Sequence, residues 1–170
     1  MKLNEKKLTL KYRAKTFYFA SLFLPKKIRK DIENLYIFCR FLDDLGDDQE
    51  LSKIESFKKL RKVKKQIIKK KSTFTVVKNF IELMIKHNIN ENIPIELIKG
   101  IEYDLKREVN VKTFEELIKY CYQVAGTVGF MFCKIIKVKD KKLILGGIQL
   151  GIAMQLTNIS RDFAEDLEMN

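Results

Sequence analysis

Carboxylates spaced four residues apart on a helix lie beside one another and can share a hard divalent cation through oxygen. The chain carries two runs of that kind. The first is Asp43-Asp44-Leu45-Gly46-Asp47-Asp48, and the second runs from Asn158 through Arg161-Asp162 to Glu165-Asp166. Each follows a stretch dense in apolar residues, 35–42 and 143–156. Acid clusters on solvated helix faces are common and carry no chemistry. Clusters that end buried helices are different, because carboxylates gathered inside a protein need a cation to neutralise them. The pattern predicts a divalent-metal site, Mg²⁺ with Mn²⁺ as a substitute, facing an internal apolar cavity.

The helical arithmetic sharpens this. At about 100° per residue, Tyr36, Arg40, Asp43 and Asp47 fall in one narrow sector, with Asp44 just beside it. On the second helix Gly147, Gly151, Gln155, Asn158, Asp162 and Asp166 share one face, a stripe grading from no side chain through amides to carboxylates. The glycines leave room for an apolar chain, or for a second helix at close range. Two such helices facing each other would bracket a diphosphate through bridging metals, with Lys15, Arg40 and Arg161 neutralising its remaining charge.

The elements that must position these groups read as helix nearly throughout. Apolar residues recur at three- and four-residue spacing, and no hairpin turn separates alternating runs. One helix is predicted from about residue 27 into the first acid run. A Lys-rich amphipathic helix follows over 52–71, with Ile54, Phe57, Leu60, Val63 and Ile67 on one face. Helices over 73–86 and from Pro94 come next, divided by a break at 87–90. Thr113 and Glu116 form a capping box for a helix through 120–132. A basic connector at 137–142 then leads into a last helix over 142–167. No repeat or linker marks a second domain.

The composition agrees with an all-α globular domain: 170 residues, 46% hydrophobic, with 7 Gly and 2 Pro. The formal net charge of +12 permits nucleic acid or an anionic membrane as partner. However, the Lys-rich stretch 58–71 lacks interleaved aromatics or any recognisable module, so it reads as a solvated face and no nucleic acid is expected. Cys39, Cys121 and Cys133 sit in apolar helical contexts and read as buried thiols of a reducing compartment. Residues 1–13 show no apolar run for a secretory leader, and 143–156 is too short and polar for a membrane span. A cytoplasmic protein, in peripheral contact with a membrane at most, is expected.

Four blocks together resemble the squalene/phytoene synthases, the head-to-head prenyltransferases. Lys15-Thr16-Phe17 with Leu24-Pro25 is similar to the opening block of that family. Tyr36 with 39–47 resembles its first Asp-rich motif, 120–129 its central Tyr/Gly motif, and Gly151 through Asp162 to Asp166 its second Asp-rich motif. The order and separations fit along essentially the whole chain. Ala14, where the family often has a hydroxyl, and Ser160, where Leu is usual, depart from the pattern.

The resemblance implies the class I isoprenoid synthase-type helical bundle. Residues 1–170 would be a single domain, the N-terminal part of a longer family domain that continues into further helices. It implies Mg²⁺ held by Asp43, Asp47, Asp162 and Asp166 with Asp44 assisting, and diphosphate oxygens met by Lys15, Thr16 and Arg40. Tyr36, Arg40, Tyr120, Gln155 and Asn158 would serve the reacting centre. Phe17, Val124, Val128, Gly129 and Gly151 would line the cavity, and Arg161 would add substrate contacts. Substrates would be farnesyl or geranylgeranyl diphosphate, joined through a cyclopropyl diphosphate to a phytoene-, squalene- or dehydrosqualene-type product, with the need for NADPH left open. The alternative is a truncated or non-catalytic relative that acts as a binding or assembly protein.

Overall fold

A computed structural model describes the backbone of residues 14–47, 51–106 and 111–168, and their side chains except those of Lys15, Thr16 and 163–168. Among the described residues the chain is helical and holds no strand. The order is α1 (Lys15–Ser21), α2 (Lys26–Asp47), α3 (Lys53–Ile68), α4 (Thr75–Lys86), α5 (Asn92–Asp104), α6 (Phe114–Cys121), a π-helical turn (Tyr122–Gly126), α7 (Thr127–Ile135) and α8 (Lys141–Glu168).

The helix starts follow from local chemistry. Ser52 caps α3 as a full box: its hydroxyl accepts from Glu55 N–H while Ser52 N–H donates to the Glu55 carboxylate. Thr113 caps α6 by accepting from Glu116 N–H, but Glu116 reaches back to Lys112 N–H instead of closing the expected box on Thr113. Left-handed backbone at helix ends is taken by Lys70, Asn88 and Lys137. No glycine has a positive φ, and all but Gly146 sit where another group approaches closely.

The core gathers around α2. Its Leu35, Phe38, Phe41, Leu42 and Leu45 are buried against the inner faces of α3, α4 and α5. The rings of Phe38 and Phe80 stack with centroids 3.6 Å apart. On α3 the predicted face is buried at Leu60, Val63 and Ile67, whereas Ile54 in the first turn stays exposed. Near the other end of α2, Asp31 is buried and receives Lys86 Nζ at 2.7 and 2.6 Å and contacts His87 Nε2 at 2.9 Å. Burial alone would raise the Asp31 carboxyl. The hydrogen bonds and charges of Lys86 and His87 outweigh it and hold the group below its usual range.

Three expectations need correction. The helix predicted through 120–132 is interrupted by the π-helical turn Tyr122–Gly126, an extra residue in the turn that rotates everything after it. The last helix is not buried all round, because Leu143, Leu145, Leu150 and Met154 lie on an exposed apolar face. Periodicity identifies such a face but not its cover. Finally, Lys141–Asp162 is long and apolar enough to cross a membrane by length and composition, so the judgement that this region is too short does not hold. Thr157, Asn158, Ile159 and Ser160 carry the uncharged run beyond 143–156.

Candidate active site

Two cavities and a groove hold most of the residues singled out above. The first is a small cleft of about 200 Å³ lined by Arg40, Asp43, Gly46, Asp47, Ile101 and Asp104. It forms where the last turns of α2 and α5 meet. A Cβ at Gly46 would stand 3.0 Å from the Ile101 side chain, so the glycine lets the two helices close on each other there.

The charges in this cleft are unbalanced. Arg40 makes a 2.7 Å ion pair with Asp44, one turn on. Its Nε is buried with no hydrogen-bond partner among the described residues, a donor that an anion would satisfy. Asp43 is pushed up to about 6, first by burial and then by Asp47, Asp44 and Asp104, with Arg40 pulling the other way. A carboxylate in that position gains from a cation. Mg²⁺ takes one or two protein carboxylates and completes its shell with water and phosphate. Asp43 and Asp47 supply that number, so the donor set fits the ion. Among the described residues no group of three or more His, Cys, Asp or Glu side chains is gathered tightly enough to hold a metal by itself.

The second cavity is apolar, about 410 Å³, and lies between α1, the π turn, α7 and α8. Phe17, Val124, Val128, Gly129, Gly151, Gln155 and Asn158 all line it, together with Ala125, Phe132, Cys133, Gly147, Leu150 and Met154. The π turn turns Val124, Ala125, Val128 and Gly129 toward α8. Thr127, buried behind them, turns its hydroxyl back to the Gln123 carbonyl at 2.8 Å. The two readings of the glycines coexist. A Cβ at Gly129 would run into the Gly147 carbonyl, and one at Gly151 into the Ala125 carbonyl. The same glycines also face the cavity.

The groove, about 580 Å³, is polar and lined by Tyr103, Tyr120, Gln123, Lys99, Lys106 and Lys119 among others. Tyr120 lies here and not on the apolar cavity. Its hydroxyl donates to Asp104 at 3.0 Å and its ring lies 5.9 Å from that of Tyr103. Burial, then the adjacent Asp104 charge, pushes the Tyr120 phenol well above its usual range.

Asp162 of the second acid run does not line the cleft of the first. Asp162 is 62% exposed and accepts two hydrogen bonds, at 3.1 and 2.8 Å, from its neighbour Arg161, itself exposed. Tyr36 is half-buried on α2 one turn before Arg40 and lines neither cavity nor the groove. Lys15, Thr16 and Asp166 lie outside the described side chains. Asp104 was missed by sequence reasoning. One signal existed: a carboxylate in the last turn of a helix opposes the helix dipole and calls for another reason to be there.

Comparison with known proteins identifies the family and the fold. The family described as Squalene/phytoene synthase matches residues 10–170. The chain is 31% identical over 165 residues to the 15-cis-phytoene synthase of Enterobacter agglomerans, covering 91% of this chain and 56% of that protein. It is also 31% identical over 161 residues to the chloroplastic phytoene synthase 1 of Arabidopsis thaliana, covering 90% and 38%. The crystal structure of squalene synthase HpnC from Alicyclobacillus acidocaldarius superposes with a TM-score of 0.81 at 24% identity, over 97% of this chain and 62% of that one. A dehydrosqualene synthase in complex with ligand superposes with a TM-score of 0.77 at 29% identity, over 94% and 56%. The chain thus spans about half the length of the first of these curated relatives.

Proposed function

Because the chain belongs to the squalene/phytoene synthase family, we propose that residues 1–170 form the N-terminal part of a prenyltransferase domain that condenses two prenyl diphosphates head-to-head. The observation that carries this reading is the apolar cavity whose lining runs from Phe17, Val124 and Val128 to the amides of Gln155 and Asn158. A long hydrocarbon tail fits the apolar end, and polar atoms meet the amides.

Asp43 and Asp47, with Asp44 beside them, would hold Mg²⁺, as would Asp162 and Asp166 from α8. When bound, the ion supplies positive charge to a departing diphosphate. Arg40 offers its orphaned Nε to a diphosphate oxygen, assisted by Lys15, Thr16 and Arg161. Departure of diphosphate with its bonding pair leaves an allylic cation. The double bond of the second substrate attacks that carbon, and loss of a proton closes a cyclopropane. Tyr36 and Tyr120 are the groups assigned to this centre. The greasy wall keeps water off the cation, and the face of Phe17 stabilises it. The proposed substrates are farnesyl or geranylgeranyl diphosphate. A second departure of diphosphate with its bonding pair, followed by rearrangement, leaves a cation that becomes a C30 or C40 hydrocarbon by losing a proton, or by accepting hydride from NADPH for a squalene-type product, at a cytoplasmic site with its product passing to a membrane.

The test is extraction of hydrocarbon product after incubation with labelled farnesyl or geranylgeranyl diphosphate and Mg²⁺. Asp43→Asn and Asp162→Asn each lower turnover by at least about a hundredfold, and a chelator abolishes it. Normal turnover in both variants removes the metal assignment. A second reading, a non-catalytic relative that binds a partner, is favoured by the exposure of Asp162 and its pairing with Arg161. It expects prenyl diphosphate binding without product from the 170-residue chain.

A further inference from the structure

Asp104 is the last residue of α5 and has no role in the assignments above. Three features make its place costly. It stands at the carbonyl end of a helix, where negative charge is disfavoured. It shares its cleft with two further carboxylates, Asp43 and Asp47. It makes no ion pair among the described residues; its one hydrogen bond there comes from Tyr120 Oη, at 3.0 Å. An acid held against these costs must be held for what it grips. That bond joins the end of α5 to the last turn of α6, and Asp104 also lines the cleft of Arg40, Asp43 and Asp47. It therefore ties a phenol of the central motif to the first acid motif, two blocks far apart in sequence.

The phenol has a second constraint. Tyr103, next to Asp104 on α5, sets its ring 46° from that of Tyr120, and Lys106 Nζ covers the Tyr103 ring 4.7 Å from its centroid. The ring is thus steered from one side while the hydroxyl is fixed at the other.

We propose that Asp104 is a positioning residue of this site, whose carboxylate fixes the Tyr120 hydroxyl at the edge of the acid cleft. The proposal rests on the reading that Tyr120 serves the reacting centre, and it assigns Asp104 neither metal nor substrate. A positioning role depends on where the acceptor oxygen lies, whereas a charge role depends on the charge, and three substitutions separate them. Asp104→Asn keeps an oxygen in place and loses the charge. Asp104→Glu keeps the charge and displaces the oxygens by one methylene. Asp104→Ala loses both.

The experiment uses the whole chain with ¹³Cζ-labelled tyrosine, the Tyr120 resonance being identified by its loss in Tyr120→Phe, together with kcat and KM on farnesyl and geranylgeranyl diphosphate. The Tyr120 resonance stays in place in Asp104→Asn and moves in Asp104→Glu and Asp104→Ala. In the latter two kcat falls roughly ten- to a hundredfold while KM changes by less than about twofold. Asp104→Asn retains most of the rate, and Asp104→Ala combined with Tyr120→Phe loses no more than either alone. An unmoved resonance in both Glu and Ala variants overturns the proposal. So does the reverse pattern, with Asn impaired and Glu spared, because that assigns the effect to charge. If the Ala variant does not fold, the Asn/Glu pair decides. If the unsubstituted chain gives no product, the tyrosine resonance alone decides whether Asp104 holds the phenol.

Discussion

The two halves of the molecule are joined by different means. From α2 to α5 the helices lock through side chains: Phe38 on Phe80, an unbroken apolar cluster, and Asp31 clasped by Lys86 and His87. From the π turn to α8 they lock through the absence of side chains, with Gly129 against Gly147 and Gly151 against Ala125, backbone to backbone. The first arrangement packs α2 against its neighbours and leaves a 200 Å³ cleft at its end. The second holds α8 by one stripe and leaves the apolar cavity and the outer apolar face of the helix open. Side-chain packing consumes the space between helices. Glycine packing anchors a helix along a line and frees the rest of its surface for a ligand or another layer. The acid-lined cleft belongs to the half packed by side chains and the apolar cavity to the open half.

This contrast can be broken most sharply at Phe38. Phe38→Ala should cost about 3–5 kcal/mol by leaving a void in the closed half, read as a lower denaturant midpoint; a loss below about 1 kcal/mol would mean that half is not tightly packed. Gly129→Ala should cost about 2–3 kcal/mol, because its Cβ meets a carbonyl that cannot yield. Gly146, next to Gly147 in sequence, has nothing within 4 Å of its Cβ position. Gly146→Ala should stabilise α8 by about 0.5–1 kcal/mol, and equal effects at the two positions would refute packing by glycine.

The Asp31 clasp should show in acid. Its carboxyl is held below the ordinary value of 3.8. Its contribution is therefore complete above that value and lost as pH falls through the lower folded value. Asp31→Asn should be destabilised by about 2 kcal/mol at pH 7, with the gap closing at strongly acid pH in urea titrations. Asp43 should behave with the opposite sign. Asp43 is raised to about 6 from 3.8, so its ionisation costs stability as pH rises across that window. Asp43→Asn should raise the stability of the metal-free protein by on the order of 1 kcal/mol at pH 7.5, and by nothing near pH 3. A gain that persists in acid would disprove the linkage.

Local chemistry made much of this readable. Thr113 announced the start of α6, and the apolar stretch 35–42 announced a buried helix leading into the acids. Four sequence blocks gave the family. The spacing of Gly147, Gly151, Gln155 and Asn158 placed all four on one face, and they do line one cavity. The π turn escaped notice because an inserted residue leaves no mark on composition. Ile54 misled because periodicity cannot see where a neighbouring helix stops.

Sequence alone therefore determined the helices and which residues share a helix face, because each depends on residues within a turn or two. The tertiary structure decided what the stripes meet: that Gly129 abuts Gly147, that Tyr120 leaves the apolar cavity for a polar groove, and that Asp104 stands beside the first acid motif. Those facts depend on the separation and rotation of helices distant in the chain. No local pattern encodes a distance between residues that only packing brings together.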